Sequence, residues 1–363
     1  MKYAAPWWLP GGNLQTIWAA LYARRFNATA PSFRRERWTT PDQDFIDVDF
    51  LEMAPTLPTS CGALPPEGAN FPRGGPSGNL APTLPHFVPS RPPERADFPV
   101  RPLLVLFHGL EGSSSSHYSQ AFAEFASDRG MAFCVPHFRG CSGELNLAPR
   151  AYHSGDYEEV DWILKRLRVQ HTGPIVAVGV SLGGNALLRW AEEAGEDASK
   201  IVTSIASVCS PVDLTASGMA IGRGFNRLVY TRMFINSMKP KAMQKLAQHP
   251  GLFDGDALAR ASDLYAFDNI FTAPLHGFKN TDDYWARGSA KPHLHHIRVP
   301  ALVVNALNDP FIPQASLPRQ HAVGSHVTLW QPGQGGHVGF PKGRFPAHVQ
   351  ALPELVGNWL LGQ

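Results

Sequence analysis

The stretch VAVGVSLGGNALLRW, residues 176–190, runs from a β-branched segment through a serine into a leucine-rich helical pattern. A strand that turns abruptly into a helix forces the residue at the corner into a strained conformation with positive φ and crowds its neighbours. Gly179 and Gly183 would relieve that crowding, and Gly184 would let the helix lie close to the strand. A chance match in a chain with 33 glycines is the alternative. The strand before Ser181 and the helix after it are the context that a G-x-S-x-G motif requires, so the pattern predicts a nucleophile elbow.

Short apolar runs alternate with helical patterns along the chain, which predicts an α/β fold with an eight-stranded, mostly parallel sheet and helices on both faces. The first two strands have the pattern of an antiparallel hairpin, and the others are apolar runs suited to burial on both faces. The predicted strands are residues 35–40, 44–53, 101–109, 131–140, 174–180, 201–209, 299–307 and 326–331. The clearest predicted helices are residues 118–130, 155–169 and 182–195. Together they predict a single domain over residues 1–363.

Two segments interrupt this alternation. Residues 54–99 are rich in proline, repeat the sequence APTLP and contain little that forms a packed core, so they are predicted to be a surface insertion after the hairpin. Residues 214–296 fall between two sheet strands and are too long for a simple crossover. Because residues 225–249 within them are helix-like, basic and amphipathic, we expect this second segment to be a helical cap, or lid, inserted before the seventh strand.

A serine hydroxyl is a poor nucleophile near neutral pH, so the elbow requires a histidine base and an acid that orients it, in the chain order Ser, Asp, His. Asp309 follows the seventh predicted strand, and His337, in QGGHVGF, follows the eighth. These positions predict a catalytic triad of Ser181, Asp309 and His337. Two alternatives stay open. Asp309 also suits a turn beside Pro310, and Asp213 is a second candidate acid that is equally well explained as the N-cap of the first cap helix.

An acyl-transfer enzyme also needs hydrogen-bond donors for the oxyanion of its tetrahedral intermediate. The first candidate is the backbone N–H of Leu182, directly after the nucleophile. The second is the backbone N–H of Leu110, in the loop FHGLEGSSSS after the third strand. His108 of the same loop is interpreted as an organiser of the loop and not as a base.

The composition argues against other classes of protein. With 32 basic and 30 acidic side chains in 363 residues, the formal charge is only +2, which gives no indication of a nucleic-acid partner. The cysteines lack metal-ligand spacing, and the sequence HLHH at residues 293–296 has no acidic or cysteine ligands clustered nearby. We therefore expect neither a metal nor a cofactor.

The N-terminal segment predicts no export and no membrane span. Residues 1–25 are broken by prolines and glycines, so they lack the continuous apolar run of a signal peptide or a transmembrane helix. Cys134 and Cys209 fall in apolar strand-like runs, where a reduced thiol packs as a small hydrophobic group. We expect a cytoplasmic protein without stable membrane insertion.

Several motifs resemble those of the YheT-like α/β-hydrolases. They are NLQTIWA, HGLEGSSSSHY, FRGCSGELN followed by YHSG, GVSLGGNALLRW, YAFDNIFTAPLHGF, NALNDPF and GGHVGF, and they cover nearly all of the chain outside residues 54–99. The resemblance implies an α/β-hydrolase fold with a helical cap, hydrolysis of carboxylic esters, and a triad at Ser181, Asp309 and His337. It also implies eukaryotic relatives that act on medium-chain acyl esters and phospholipids. The proline-rich insertion departs from the pattern of this family.

The apolar side chains of the predicted cap have two interpretations. In the first, these side chains and three N-terminal tryptophans line an acyl pocket for lipophilic esters. In the second, the side chains form the core of the cap itself, and the sequence favours neither interpretation. They are Leu228, Tyr230, Met233, Phe234, Ile235 and Met238, with Trp7, Trp8 and Trp18. A basic helical face has two interpretations as well: solvation, which is the commoner one, or peripheral contact with an anionic membrane surface. That face consists of Arg232, Lys239, Lys241 and Lys245.

Three functions fit these observations. The first is a serine esterase acting on small-molecule or lipid-like esters, with short-to-medium acyl chains favoured. The second is an acyltransferase that uses the same acyl-enzyme but passes the acyl group to an alcohol instead of water. The third is a non-catalytic binding protein on a hydrolase scaffold. A complete set of triad residues argues against the third, whereas water access under the cap decides between the first two.

Overall fold

The computed structural model describes residues 1–27, 29–52 and 101–363, so the predicted insertion at 54–99 lies outside the described residues. All eight predicted strands are present, most of them a few residues shorter than predicted. They are β1 (Phe33–Thr39), β2 (Phe45–Leu51), β3 (Leu103–Phe107), β4 (Ala132–Pro136), β5 (Ile175–Val180), β6 (Ser204–Val208), β7 (Ala301–Val304) and β8 (Val327–Trp330).

The strands form one sheet in the order β1-β2-β4-β3-β5-β6-β7-β8. The predicted hairpin of β1 and β2 is antiparallel, and β2 also runs antiparallel to β4. All other neighbours in the sheet are parallel. The carboxyl ends of β5, β7 and β8 therefore lie along the same edge, which is where open α/β sheets place their ligands.

Helices cover both faces of the sheet. Outside the segment between β6 and β7 they are α1 (Gly12–Leu21), α2 (His117–Asp128), α3 (Tyr157–Gln170), α4 (Leu182–Ala194), α5 (Ala198–Ile201) and, after β8, α13 (Ala351–Leu361). Short 3-10 helices occupy Gly195–Asp197, Lys291–His296, Gln314–Ser316 and Gln320–Ala322. The three helices predicted most clearly correspond to α2, α3 and α4. In α3, acidic Glu158 and Glu159 lie in the first turn and Arg168 lies in the last, which suits the helix dipole.

The apolar core has two layers because successive side chains of a strand point to opposite faces. Leu103, Val105 and Phe107 of β3 pack with α3 and α4 on one face. Leu104 and Leu106 of the same strand pack with α2 and α13 on the other. Burial on both faces explains why the central strands are continuous apolar runs in the sequence.

The segment between β6 and β7 is helical, and we refer to α6–α12 as the cap helices. They are α6 (Leu214–Ile221), α7 (Gly224–Asn226), a π-helical turn (Arg227–Thr231), α8 (Arg232–Gln248), α9 (Gly255–Arg260), α10 (Leu264–Phe267), a second π-helical turn (Asp268–Thr272), α11 (Ala273–Leu275) and α12 (Thr281–Gly288). Their inner apolar cluster includes Met238 and Phe271 and also contacts Leu110 of the loop after β3. Among the helices of the described ranges, none is long and apolar enough to cross a bilayer.

Candidate active site

The turn between β5 and α4 has the geometry that the sequence predicts. Ser181 lies at the corner with φ 52° and ψ −118°. A Cβ atom at Gly179 would lie 2.4 Å from the carbonyl oxygen of Gly183, and one at Gly183 would lie 2.5 Å from the carbonyl oxygen of Phe107. Neither position has space for a side chain, so both glycines are required for α4 to begin directly at the end of β5.

A chain of hydrogen bonds joins Ser181, His337 and Asp309. Nε2 of His337 lies 3.0 Å from Oγ of Ser181. Nδ1 of His337 lies 2.9 Å from Oδ2 of Asp309. The other carboxylate oxygen of Asp309 accepts a hydrogen bond of 2.8 Å from the N–H of Phe311, and the Phe311 ring packs against His337 at 4.1 Å between ring centroids. These contacts fix both the carboxylate and the imidazole in an orientation that suits general-base chemistry.

The second candidate acid, Asp213, lies elsewhere. Its Oδ1 accepts a hydrogen bond of 3.0 Å from the N–H of Ala216, as an N-cap of α6. Its Oδ2 pairs with the ammonium group of Lys291 at 3.1 Å. The structure therefore brings Asp309 to His337 and gives Asp213 the capping position that was its alternative interpretation.

The loop after β3 runs directly beside the nucleophile. A Cβ atom at Gly109 would lie 3.2 Å from Cβ of Ser181. Leu110 and Leu182, whose N–H groups are the predicted oxyanion donors, line the same cavity as Ser181. His108 organises this loop: its Nδ1 donates to the carbonyl of Gly109 at 2.8 Å and its Nε2 accepts from the N–H of Phe138 at 3.1 Å. Burial lowers the pKa of His108 to about 3, which keeps the ring neutral.

Helix α1 supports the loop that carries His337. Oγ1 of Thr16 accepts a hydrogen bond of 2.8 Å from the N–H of His337. Oε1 of Gln15 accepts hydrogen bonds of 2.9 Å from the N–H of Gly335 and from the side chain of Asn308. Gln15 and Thr16 are both buried, and their partners belong to the segments that carry His337 and Asp309.

Glu111 connects the loop after β3 to the cap helices. Its carboxylate accepts hydrogen bonds from Ser237 and, at 2.9 Å, from the hydroxyl of Tyr152. It also pairs with the ammonium group of Lys241 at 2.8 Å. Because Glu111 directly follows Leu110, α8 is fastened to the loop that carries the predicted oxyanion donor.

Ser181 and His337 line a cavity of about 180 Å³ between the sheet and the cap helices. Apolar side chains form most of its wall, among them Leu110, Leu214, Ile221, Phe234, Met238 and Phe271. Six cap side chains and three N-terminal tryptophans were candidates for the wall of an acyl pocket. Of these, Phe234 and Met238 line this cavity. Tyr230 and Ile235 are buried in packing clusters, which matches the other interpretation, whereas Leu228 and Met233 are exposed. Trp7, Trp8 and Trp18 do not line the part of the cavity that the structure describes.

Only some of the basic side chains expected on one helical face are exposed to solvent. Lys245 is buried, and its ammonium group donates to the carbonyl oxygens of Asn146 and Ala148. Burial lowers the pKa of Lys245 to about 8. Lys241 pairs with Glu111, so both lysines attach α8 to the rest of the protein. Arg232 remains exposed.

One group of donor atoms is compact enough to be considered as a metal site. Atoms of Cys209, Asp309 and His337 lie within 4.8 Å of one another. However, Asp309 and His337 already bond to each other, and burial raises the pKa of the Cys209 thiol well above its usual range, which disfavours the thiolate that binds metals. Sγ of Cys209 instead accepts a hydrogen bond of 3.3 Å from the N–H of Val338. These atoms fit a hydrogen-bonded triad better than a metal ion.

Comparisons with known proteins agree with this architecture. A family model for the alpha/beta hydrolase fold matches residues 102–343. The Escherichia coli K12 protein YheT, which is named as an esterase, is 37% identical over 263 residues, covering 72% of this chain and 76% of YheT. The mouse phospholipase ABHD3 is 27% identical over 248 residues, covering 68% of this chain and 60% of ABHD3. The solved structure of a Pyrococcus furiosus esterase matches with a TM-score of 0.50 and 14% identity, over 92% of this chain and 91% of that one.

The sheet, the elbow and the family match define the class, and this chain belongs to the α/β-hydrolase family. The similarity to YheT confirms the YheT-like resemblance predicted from the motifs. With it, the predicted enzyme class, a carboxylic ester hydrolase, is confirmed as well.

Sequence reasoning missed the residues that support the site. Gln15 and Thr16 carried a signal, because they are an adjacent polar pair that interrupts the apolar residues of the helical stretch GNLQTIWAAL. Glu111 carried a weaker one, as the acidic residue in a loop of glycines and serines. No local pattern links these residues to His337 or to α8, since their partners are distant in the sequence.

The contacts of the two aspartates predict different effects of removing their charge. Asp309→Asn should leave the protein folded but lower kcat by about 10⁴-fold, because an amide stabilises the wrong tautomer of His337. Asp213→Asn should cost at most about 1 kcal/mol of stability, as a weakened N-cap, and little activity. The measurements are kcat on a short-chain nitrophenyl ester and a thermal melt. A folded Asp309→Asn enzyme with near-parental kcat, beside an inactive Asp213→Asn enzyme, would reverse the assignment.

The contact of Thr16 with the His337 backbone predicts a role in positioning the base. Thr16→Val keeps the shape of the side chain but leaves the N–H of His337 without its acceptor, at a cost of about 1–3 kcal/mol. Because the unpaired N–H belongs to His337, the imidazole should move away from its position beside Ser181. As a result, kcat should drop roughly tenfold to a hundredfold. Thr16→Ser retains the hydroxyl and should stay near parental activity. Equal activity of the valine and serine variants would show that the contact does not position His337.

Proposed function

We propose that this protein is a serine hydrolase that cleaves lipophilic carboxylic esters through an acyl-enzyme on Ser181. One observation carries the proposal. The hydrogen-bonded series of Ser181, His337 and Asp309 opens into a mostly apolar cavity beneath the cap helices. A nucleophile with its base and orienting acid supports acyl transfer, and an apolar wall suits an uncharged acyl chain.

The first half of the proposed reaction forms the acyl-enzyme. Oγ of Ser181 attacks the ester carbonyl carbon while Nε2 of His337 takes the serine proton. The backbone N–H groups of Leu110 and Leu182 stabilise the oxyanion, each contributing roughly 10²-fold to 10³-fold in kcat. The carbon–oxygen bond of the ester then breaks, and His337 returns the proton to the departing alcohol.

The second half regenerates the enzyme. Water attacks the acyl carbon, and His337 takes the water proton. The bond between the acyl carbon and Ser181 then breaks, the carboxylic acid leaves, and His337 returns its proton to the serine oxygen. Asp309 accepts the hydrogen bond from Nδ1 of His337 and stabilises the imidazolium form in both halves.

The cavity supports short-to-medium acyl chains as substrates. Apolar protein cavities of about 150 Å³ accept a molecule the size of benzene, and this cavity has a volume of about 180 Å³. Phe234, Met238 and Phe271 of the cap region form part of its wall, so their side chains would contact the acyl group. The similarity to a phospholipase adds support for a lipid-like ester.

A reducing compartment such as the cytoplasm suits the thiols of this protein. Cys134, Cys141 and Cys209 are buried without disulfide partners among the described residues. Burial raises the pKa of each thiol, so all three pack as neutral hydrophobic groups. We propose cytoplasmic localisation on this basis.

The proposal is tested with a serine-directed fluorophosphonate and a graded series of nitrophenyl esters. The probe should label Ser181, and Ser181→Ala should abolish labelling and lower kcat by about 10⁶-fold. Ser199→Ala, at an exposed serine far from the cavity, is the control and should behave as the parent. The value of kcat/KM should peak at short-to-medium acyl chains and fall for long ones.

Several outcomes would contradict this proposal. Labelling that persists in Ser181→Ala would exclude Ser181 as the nucleophile. A rise in kcat/KM up to the longest chain would contradict the proposed acyl range. Quantitative transfer of the acyl group to an added alcohol, with no free acid, would identify an acyltransferase that uses the same acyl-enzyme.

A further inference from the structure

Helix α1 buries polar residues and leaves part of its apolar side exposed to solvent. Its buried residues are Gln15, Thr16 and Ala19. Leu14 and Leu21 are exposed, and Ile17 and Trp18 are only partly buried. These four apolar residues have the spacing i, i+3, i+4 and i+7, which places them on one side of a helix. The polar side of α1 therefore packs against the His337 loop. On the apolar side, Leu14 and Leu21 are exposed, whereas Ile17 and Trp18 pack against buried clusters next to the helix.

Aromatic side chains extend this apolar stripe. Trp18 packs against Trp8 at 5.3 Å and against Phe345 at 5.5 Å between ring centroids. Phe345 is 73% exposed, and Trp7 is 92% exposed. Solvent exposure of such large apolar groups is costly, and within the described ranges most of the surface of both side chains stays open to solvent. A surface of this kind marks an interaction site.

The cap region adds a second group of exposed apolar side chains next to α1. Phe225, Leu228 and Met233 are all at least half exposed. Tyr230 joins the two regions, because its hydroxyl donates a hydrogen bond of 2.9 Å to the side chain of Asn13 and its ring lies in the same packing cluster as Ile17 of α1. We call these residues the outer apolar surface, which consists of Trp7, Leu14, Leu21, Phe345, Phe225, Leu228 and Met233.

Basic residues predominate around the outer apolar surface, and the acidic groups near it are Glu124, which accepts a hydrogen bond from the N–H of Asn27, and Glu354, which lies near His348. Residues 1–35 contain five Lys or Arg residues and no Asp or Glu. Residues 214–253 contain six Lys or Arg residues and again no Asp or Glu. The exposed basic residues beside the apolar ones are Lys2, Arg24, Lys342, Arg344, Arg223, Arg227 and Arg232. The surface is therefore both apolar and basic in a protein whose overall charge is only +2.

We propose that the outer apolar surface binds the surface of an anionic lipid bilayer. Exposed tryptophan, phenylalanine and leucine beside arginine and lysine is the combination that inserts at the boundary between headgroups and acyl chains. Each basic residue near an anionic bilayer adds attraction that corresponds to about a fivefold gain in binding. A second copy of this chain is a poorer occupant, because a symmetric contact would place basic residues against basic residues.

This binding is independent of the proposed ester cleavage, but it lies beside the same site. The inner side of α1 holds the His337 loop, so the bilayer would lie about one helix diameter, roughly 10 Å, from the catalytic base. A lipid-like ester leaving the bilayer would then have a short path to the cavity.

Vesicle flotation tests the proposal, with the Ser181→Ala protein so that lipid cleavage does not interfere. The full chain should float with vesicles of phosphatidylcholine and phosphatidylglycerol, and weakly or not at all with phosphatidylcholine alone. Adding salt should weaken the binding. Trp7→Ser combined with Leu21→Ser should lower binding at least tenfold. Arg223→Gln combined with Arg227→Gln should lower it by about fivefold for each charge.

A matched control tests whether the loss of any exposed apolar side chain weakens vesicle binding, or only a loss within this surface. Val169, at the end of α3, is 87% exposed, and Val169→Ser should leave vesicle binding unchanged. With Ser181 present, all these variants should keep parental hydrolysis of a water-soluble ester, which shows that they fold and that the ester site is intact. Failure of hydrolysis in the parent would overturn the proposed function and not the lipid surface.

Three results would overturn the lipid surface. The first is no flotation of the parent with anionic vesicles. The second is equal flotation of the parent and the Trp7→Ser, Leu21→Ser variant. The third is a parent protein that forms a stable dimer by light scattering and does not bind vesicles, together with a monomeric Trp7→Ser, Leu21→Ser variant. That result would assign the surface to a second copy of the chain.

Discussion

The rest of the site depends on the backbone at Ser181. Its φ of 52° is strained for a residue with a side chain, and it persists because α4 and β5 approach so closely that Gly179 and Gly183 have no space for a Cβ atom. The parallel sheet fixes where this turn lies, since β5 pairs with β3 and β6 on either side. The same sheet brings the loops after β7 and β8 to the same edge. The strain at one residue is therefore held by packing of the whole α/β core.

His337, the proposed base, depends on a second layer of support. His337 reaches Ser181 from a loop whose backbone N–H groups bond to Gln15 and Thr16 of α1. In the loop after β3, which passes close to Ser181, Glu111 bonds to Ser237 and Lys241 of α8. Gln15 and Thr16 are buried, and buried polar groups cost free energy unless every partner is satisfied, so their contacts specify one arrangement of helix and loop. The N-terminal helix and the cap thereby become part of the active-site framework, although neither carries a member of the proposed triad.

The features predicted from the sequence are those with local signals. The eight strands follow from apolar runs, and the elbow follows from glycine spacing around Ser181. Asp309 and His337 followed from their places after particular strands, and the structure puts them within hydrogen-bond distance. The orientation of α1 was not predictable, because its apolar residues suggest a buried stripe and only the tertiary fold turns Gln15 inward. The burial of Lys245 was missed for the same reason: its carbonyl partners lie about a hundred residues away in the sequence.

The central claim is that the acyl group passes through a covalent bond to Ser181. Rapid mixing with a nitrophenyl ester, followed by intact-protein and peptide mass analysis, tests it most directly. The account predicts a burst of one nitrophenol per protein molecule, with the acyl mass on the peptide that contains Ser181. His337→Ala should remove the burst, since no base then activates the serine. A linear release of nitrophenol at the parental rate, with the acyl mass on another residue, would contradict the account.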